Sequence, residues 1–246
     1  MIKSIPAMNF TEGEIIYLNK PYGMSSFGAL ARVRYLISRR IGVKKVKTGH
    51  AGTLDPLATG VLIICTGRKT KEIEALQYRD KEYTATLQLG CTTPSYDREH
   101  TVDYTFPTAH ITRELILDTL PRFLGEIQQV PPEYSACKID GKRAYKMMRK
   151  GEKVELKPKT LRIDEIELTF FDPVRMQMGI RVVCGKGTYI RALARDIGIA
   201  LGSGAFLTEL CRTRIGDVRL ERCVALDDFP AWLESMPVDD DAKTCI

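Results

Sequence analysis

Apolar and polar residues along this chain recur in patterns that predict both strands and helices. The candidate strands are residues 15–18, 61–65, 82–89, 161–170 and 174–183. An alternating pattern predicts a half-buried strand, whereas a short, continuous apolar run predicts a buried one. The clearest alternation is at residues 82–89, where Tyr83 shares a face with apolar neighbours. On this pattern alone, Tyr83 is equally well explained as a core tyrosine or as part of a site.

Helical patterns separate these strands. The first helix is predicted to begin at Ser25 or Ser26 and to end at Gly42. Its apolar positions recur at helical spacing: Phe27, Leu30, Val33 and Ile37. Further helical patterns begin near residues 70, 112, 188 and 226. Pro121 is expected to kink or divide the helix that begins at Thr112, and residues 90–108 predict an exposed loop.

The stretch between the first helix and the strand at residues 61–65 differs from the surrounding scaffold. Residues 49–62 read GHAGTLDPLATGVL and contain one carboxylate, Asp55, and three glycines. Glycine lets a main chain pass close to a ligand. The Asp55-Pro56 pair alone is typical of a tight turn in which the carboxylate bonds the local main chain. A glycine-rich loop that enters a buried strand instead favours a reactive carboxylate.

The distribution of charge favours an anionic partner. The chain has a formal net charge of +6 and no acidic residue between Glu14 and Asp55. That interval contains Lys20, Arg32, Arg34, Arg39, Arg40, Lys44, Lys45 and Lys47. A second basic tract covers residues 138–159, but acidic residues dilute it, so it fits a solvated surface equally well. Two basic tracts on either side of a candidate site suit a polyphosphate chain.

Composition excludes several other classes of protein. The chain has 246 residues and is 44% hydrophobic, which fits one large domain or two small ones. Its seven cysteines form no Cys-x-x-Cys pair, and its three histidines form no helical ligand pair. We therefore predict neither a disulfide framework nor a metal site. The N-terminus lacks a continuous apolar stretch, so we expect a cytoplasmic protein without a membrane span.

The glycine-rich string also resembles a known family. Residues 49–60, GHAGTLDPLATG, are similar to the signature of the TruB family of tRNA pseudouridine synthases, which isomerise the T-loop uridine of tRNA. The resemblance extends over about residues 15–229 in four separated motifs. It implies the α+β pseudouridine synthase fold, in which helices and loops flank a central, mixed but mostly antiparallel sheet. It also implies a single catalytic domain over residues 1–246, with an RNA-gripping thumb at about 131–159 and no separate C-terminal PUA-type domain.

The resemblance implies roles for individual residues. Asp55 is the expected catalytic nucleophile, Arg191 its ion partner, and Tyr83 the residue that stacks on the target base. A carboxylate in an apolar pocket resists ionisation unless a cation offsets its desolvation, which is the role expected of Arg191. The remaining expected substrate-binding residues are His50, Tyr189, Leu210, Lys142, Arg143 and Lys146. Those expected to be structural near the site are Lys20, Gly52 and Thr53.

Cys211 departs from the family pattern, because it replaces the first of two arginines that usually follow the leucine. This replacement puts one phosphate contact in doubt. Without a catalytic role, Arg191 would be a surface arginine on a helix near Asp196. Without a binding role, His50 would be a loop histidine whose ring nitrogens are hydrogen-bonded.

The expected reaction needs no cofactor and no metal. Uridine becomes a C-glycoside when its N1–C1′ bond breaks, the base rotates and C5 rejoins C1′. Asp55 could attack C1′, attack C6 or act as a base at the sugar, and the sequence does not choose among these. The expected partner is the T-arm stem-loop of tRNA, and we expect a monomer.

Two other functions compete with this one. A tRNA-binding folding chaperone could use the same grip on RNA, but binding alone has no need for Asp55 together with Arg191. A phosphate-ester hydrolase with Asp55 as nucleophile predicts metal-binding carboxylates, which the sequence pattern does not supply.

Overall fold

The computed structural model describes residues 7–135, 138–139, 142–143, 147 and 156–239. The chain divides into two compact units. Unit 1 comprises Met1–Arg79 and Cys211–Ile246, and unit 2 comprises Asp80–Leu210. None of the helices in the described ranges is long and apolar enough to cross a membrane.

Runs of one to five strands are separated by α-helices along the described part of the chain. The strands of the described residues are β1 (Ile15–Lys20), β2 (Thr48–Ala51), β3 (Thr59–Thr66), β4 (Lys81–Leu89), β5 (Cys91–Thr92), β6 (Tyr104–Thr105), β7 (Gly125–Gln129), β8 (Lys138–Ile139), β9 (Lys142–Arg143), β10 (Lys159–Asp172), β11 (Gln177–Cys184), β12 (Ala205–Ile215), β13 (Val218–Arg219) and β14 (Val224–Ala225). The α-helices are α1 (Ser26–Arg40), α2 (Ile73–Tyr78), α3 (Arg113–Thr119), α4 (Ile190–Ala200) and α5 (Phe229–Ser235). Short 3-10 helices follow β3, α3 and β13.

Unit 1 is built around β3. This strand pairs antiparallel with β1 and β2, and parallel with the part of β12 that begins at Cys211. Successive side chains of a strand point to opposite faces, and both faces of β3 are buried. Leu62 and Ile64 pack with α1 and α5, while Val61 and Ile63 pack with Leu76 of α2. The apolar run at residues 61–65 is therefore buried on both sides, as the sequence predicts.

In unit 2, four strands pair antiparallel in the order β4, β11, β10, β7. The alternation of β4 is confirmed, because Tyr83, Ala85, Leu87 and Leu89 are buried and the side chain of Thr84 is exposed. The long strands β10 and β11 pair as predicted, although β10 begins at Lys159 and is longer than the pattern indicates. The combination of sheet and helices confirms the α+β class.

Several local predictions are wrong or need adjustment. Phe27 is 65% exposed and does not belong to the core face of α1. Residues 90–108 are not simply an exposed loop, since Thr93, Ser95 and Asp97 are buried. Helix α4 begins at Ile190 rather than at Thr188. The division near Pro121 is confirmed, because α3 ends at Thr119 and a 3-10 helix follows over Leu120–Phe123.

Candidate active site

Asp55 lies in the loop between β2 and β3, and its side chain is half-buried. The main chain of this loop is held by residues that are distant in sequence. The Ser26 hydroxyl, in the first turn of α1, accepts a hydrogen bond from Leu54 N at 2.8 Å and donates one to Leu54 O at 2.9 Å. Inside the loop, Ala58 N donates to Asp55 O at 3.1 Å, which closes a tight turn over Pro56. The turn predicted from Asp55-Pro56 therefore exists, closed by main-chain atoms.

A buried lysine holds the next part of this loop. Lys20 is fully buried at the end of β1. Its Nζ donates to Met24 O at 2.6 Å, Pro21 O at 2.7 Å and Pro56 O at 3.4 Å. Burial lowers the pKa of Lys20 to about 8; the negative charge of Asp55 raises it in part, and Arg212 lowers it further. Lys20 thus acts on the main chain of the loop and lies within electrostatic reach of Asp55.

A second buried cation, Arg212, was not among the predicted site residues. Its side chain is 1% exposed. Its Nε donates to Val61 O at 2.8 Å, and its terminal nitrogens donate to Gly52 O at 3.0 Å and to Thr53 O at 3.5 Å. The family pattern of arginines after the leucine suggested a phosphate contact, but this arginine is buried against main-chain carbonyls. Its place after Leu210 and Cys211 was a weak signal in the sequence, because it does not predict contacts with carbonyls about 150 residues away.

Two glycines in left-handed conformations lie next to Arg212, and one of them, Gly60, lets its main chain come close. Gly52 has φ +91° and Gly60 has φ +105°, which are conformations that side-chain-bearing residues rarely adopt. A Cβ at Gly60 would overlap the main-chain oxygen of Arg212 and would lie 2.7 Å from its nitrogen. Gly52 and Thr53, predicted to be structural, contribute their carbonyls to the arginine.

His50 lies on β2, opposite Ile64 of β3, and is half-buried. Burial lowers the pKa of His50, the positive charge of Arg212 lowers it further, and a main-chain hydrogen bond with Gly52 raises it. Its Nδ1 is buried and has no hydrogen-bond partner among the described residues. A neutral imidazole has an aromatic face that can stack against a base.

Unit 2 contains the other predicted catalytic residues. Arg191, in the first turn of α4, is 4% exposed, so its interpretation as a surface arginine near Asp196 is wrong. Asp196 instead pairs with Arg195, at 2.8 Å. The Arg191 guanidinium donates to Ser95 O at 3.0 Å and to Tyr134 O at 2.9 Å. These bonds hold the plane of the guanidinium in one orientation.

Asp97 is a second residue that the sequence did not single out. Its Oδ2 lies 3.6 Å from Arg191 Nη1, and both side chains are buried. Asp97 Oδ1 accepts hydrogen bonds from Ser95 Oγ at 2.6 Å and from Glu99 N at 2.9 Å. This carboxylate therefore orders the segment whose carbonyl binds Arg191. The spacing between residues 97 and 191 has no signature in the sequence.

The remaining predicted residues of unit 2 lie on its core elements. Tyr83 is 8% exposed on β4, opposite Val182 of β11. Tyr189 precedes α4, and its main-chain N donates to Gln129 Oε1 at 2.9 Å. Leu210 is half-buried on β12. The burial of Tyr83 is compatible both with a core position and with the wall of a pocket.

The thumb is described only in part. Lys142 and Arg143 form β9, whose main chain pairs with β8. Lys146 lies outside the described residues, so its predicted place in an RNA grip stays a prediction. Among the residues that the structure describes, no group of three or more His, Cys, Asp or Glu side chains could hold a metal ion.

Known structures share this fold. The chain is similar to a chain of "Crystal Structure of a Cbf5-Nop10-Gar1 Complex", with a TM-score of 0.66 and 29% identity over 91% of this chain and 55% of that one. It is also similar to a chain of "Structure of H/ACA RNP bound to a substrate RNA containing 2'-deoxyuridine", with a TM-score of 0.64 and 27% identity over 91% and 54%. The fold and the glycine-rich aspartate loop define the class as pseudouridine synthases.

Family models and relatives are more specific. The model "TruB family pseudouridylate synthase (N terminal domain)" matches residues 39–190, and "tRNA pseudouridylate synthase B C-terminal domain" matches residues 191–243. A tRNA pseudouridine synthase B of Bacteroides thetaiotaomicron is 63% identical over 95% of this chain and 98% of its own length. One of Flavobacterium johnsoniae is 48% identical over 92% and 98%. The chain belongs to the TruB family of pseudouridylate synthases.

Proposed function

We propose that this protein converts the T-loop uridine of tRNA to pseudouridine by a reaction that depends on Asp55 and uses no cofactor. The broader activity, isomerisation of uridine in tRNA, follows from membership of the TruB family and from relatives named for it. The proposal adds the T-arm as the part of the substrate that is recognised, a monomeric state and a cytoplasmic location. It also assigns the roles below to individual residues.

The observation that carries the proposal is the immobilised loop around Asp55. Carbonyls of Gly52, Thr53, Leu54 and Pro56 accept hydrogen bonds from buried side chains outside the loop. A catalytic group must be held close to its productive geometry by packing and supporting hydrogen bonds. A loop fixed on both sides of one carboxylate suits a reacting group better than a surface that only binds RNA. The chaperone alternative gives no reason for this arrangement.

Asp55 is proposed to attack the nucleoside or to act as a base at its sugar. Each version breaks the N1–C1′ bond, lets the base rotate, forms the C5–C1′ bond and removes the proton from C5. Covalent attack at C1′ or at C6 divides one difficult step into two easier ones. Tyr83 is proposed to stack on the uracil during rotation and is a candidate for removing the C5 proton.

Arg191 is proposed to keep Asp55 ionised when substrate excludes water from the site. Arginine suits this role because it stays charged when buried and its guanidinium is planar. Support comes from unit 2 itself, where the guanidinium is buried and held by Asp97 and by two main-chain carbonyls. The pairing of Arg191 with Asp55 is implied by the family resemblance and belongs to the proposal.

The substrate base must leave the T loop before Asp55 can reach its sugar. Extrusion of a base costs a few kcal/mol of lost stacking and pairing. His50 is proposed to fill the vacated position, a role supported by its lowered pKa and half-buried ring. Tyr189 and Leu210 are proposed to line the pocket, and the thumb residues Lys142, Arg143 and Lys146 to bind backbone phosphates.

Tritium release tests the role of Asp55. A T-arm stem-loop with tritium at C5 of its uridine should release tritium with the wild-type protein. Asp55→Asn should abolish release while RNA binding changes less than a few-fold, because the amide keeps the shape but cannot act as nucleophile or base. Asp118→Asn is the control, since Asp118 is exposed on α3 and should leave release unchanged. Normal release by Asp55→Asn would exclude the proposed role.

A further inference from the structure

The outward face of α1 is basic and carries an exposed aromatic ring. Arg32, Tyr35 and Arg39 follow a spacing of three and four residues, which places them on one side of a helix. Tyr35 is 60% exposed, and both arginines are exposed. The opposite side packs Leu30, Val33 and Ile37 into the core of unit 1. We name Arg32, Tyr35 and Arg39, with Lys44 and Lys45 beyond the helix, the α1 basic face.

Among the residues that the structure describes, no carboxylate forms a salt bridge with the cations of this face. No acidic residue occurs between Glu14 and Asp55, and within the described residues none of these cations forms a salt bridge. Exposed cations elsewhere in unit 1 do, since Arg68 pairs with Glu12 at 2.9 Å and Lys69 pairs with Glu72 at 2.7 Å. The α1 basic face therefore presents uncompensated positive charge.

Stabilisation of the helix does not account for this charge. Cations near a helix C-terminus interact favourably with the helix dipole, but the effect fades within the last turn. That explains Arg39, which lies in the last turn of α1. Arg32 lies two turns earlier, and Lys44 and Lys45 follow the end of the helix. A binding role accounts for all of them together.

The helix also connects this face to the loop of Asp55. Ser26, at the start of α1, is hydrogen-bonded to the main chain of Leu54. With a rise of 1.5 Å per residue, Arg32 lies roughly 9 Å and Arg39 roughly 20 Å farther along the helix axis. An RNA whose uridine reaches Asp55 would extend flanking backbone over distances of this size.

We propose that the α1 basic face binds phosphates of the tRNA substrate outside the uridine that enters the site, with Tyr35 stacking on a base or ribose. This inference rests on the proposed function, which supplies RNA as the partner. Arginine beside an exposed aromatic ring suits nucleic acid, which offers phosphates and planar bases. A lipid surface fits less well, because the apolar side of α1 is already buried in the protein core.

Equilibrium binding of full-length tRNA to the whole protein tests this inference. The double variant Arg32→Gln, Arg39→Gln should bind about tenfold more weakly at low salt. Its log–log salt slope should be smaller by about 2, since each lost phosphate contact removes about 1. The control Arg68→Gln, Lys69→Gln removes the same charge from exposed, ion-paired positions of unit 1 and should match the wild type.

Tyr35→Ser gives an independent result. It should weaken tRNA binding several-fold and leave the salt slope unchanged, because stacking releases no counterions. The R32Q/R39Q variant should unfold in urea at the wild-type midpoint, which shows that its weaker binding does not come from a loss of folding.

Wild-type affinity and slope in the R32Q/R39Q variant would overturn the inference. A second result would also overturn it: the wild-type protein binds vesicles of anionic phospholipid, and the R32Q/R39Q variant loses this binding but keeps its affinity for tRNA. A failure of the proposed function would appear differently, as a wild-type protein that binds tRNA and releases no tritium.

Discussion

Two buried cations, Lys20 and Arg212, interact with main-chain carbonyls around the reactive loop. Each would carry a large desolvation cost without hydrogen bonds, and each donates three to main-chain carbonyls, including Pro56 O for Lys20 and the Gly52 and Thr53 carbonyls for Arg212. Hydrogen bonds from charged donors are stronger than neutral ones. Charged donors therefore hold the loop on both sides of Asp55. A shift of these loop carbonyls would break hydrogen bonds to a buried cation.

The lowered pKa of Lys20 predicts a dependence of stability on pH. Between pH 8 and 10.5 the unfolded chain binds a proton at Lys20 that the folded chain does not, because the folded pKa is about 8 and the ordinary value is 10.5. The contribution of Lys20 to the free energy of unfolding therefore rises with pH in this window and is lowest below pH 8. Urea unfolding of wild type and Lys20→Met at several pH values measures this contribution.

The stability difference, wild type minus Lys20→Met, should grow by about 1 kcal/mol per pH unit between pH 8 and 10. Lys71→Met is the matched control, since Lys71 is exposed, and its difference should not change with pH. A pH-independent difference for Lys20→Met would show that Lys20 keeps its ordinary pKa in the folded protein.

At this scale the sequence predicted some residues and not others. Asp55 was singled out because it stands alone in a long, specific string, and its catalytic role stays a prediction. Arg212 and Asp97 could not, because their roles depend on carbonyls and side chains far away in sequence. Phe27 has the correct helical spacing for the core, yet it lies at the edge of the apolar stripe and is exposed. Spacing alone does not determine where such a stripe ends.

At the scale of elements, the parallel pairing of β3 with β12 brings Arg212 next to the end of the Asp55 loop. Gly60 pairs with Arg212 where these parallel strands meet, and its φ of +105° lets the two main chains come together. The requirement for glycine is therefore both conformational and steric. A side chain here would displace the arginine that holds Gly52 and Thr53.

Gly60→Ala should lower the free energy of unfolding by about 3 kcal/mol or more, because it adds a main-chain clash to an unfavourable φ. Gly42→Ala separates the two effects, since Gly42 has φ +72° with open space around it. It should cost only about 1–2 kcal/mol. Chemical denaturation of both variants measures the difference, and equal losses would contradict a steric role for Gly60.

Elements with a strong period were predicted well. The alternation of β4 and the apolar run of β3 predicted these strands correctly, because each strand keeps one pattern of burial along its length. Residues 90–108 were predicted as an exposed loop because their polar composition is typical of loops. Three of these polar side chains are buried because they bond each other and nearby main chain, as Thr93 and Ser95 do with Asp97. Composition does not show such bonding.

At the scale of the whole molecule, the candidate catalytic residues come from separate parts of the chain. Lys20, His50, Asp55 and Arg212 belong to unit 1, whereas Tyr83, Tyr189, Arg191 and Leu210 belong to unit 2. Periodicity predicts elements but not which distant elements supply one site. The family resemblance implies the grouping of Asp55 with Tyr83 and Arg191, and that grouping stays a proposal.

A structure of the protein bound to a T-arm stem-loop tests the central claim most directly. The account predicts that the target uridine is extruded from the loop, with its C1′ or C6 in contact with the Asp55 carboxylate, Arg191 paired with that carboxylate and the base stacked on Tyr83. A uridine that stays stacked in its loop, or one bound with Asp55 out of contact and facing solvent, would contradict it.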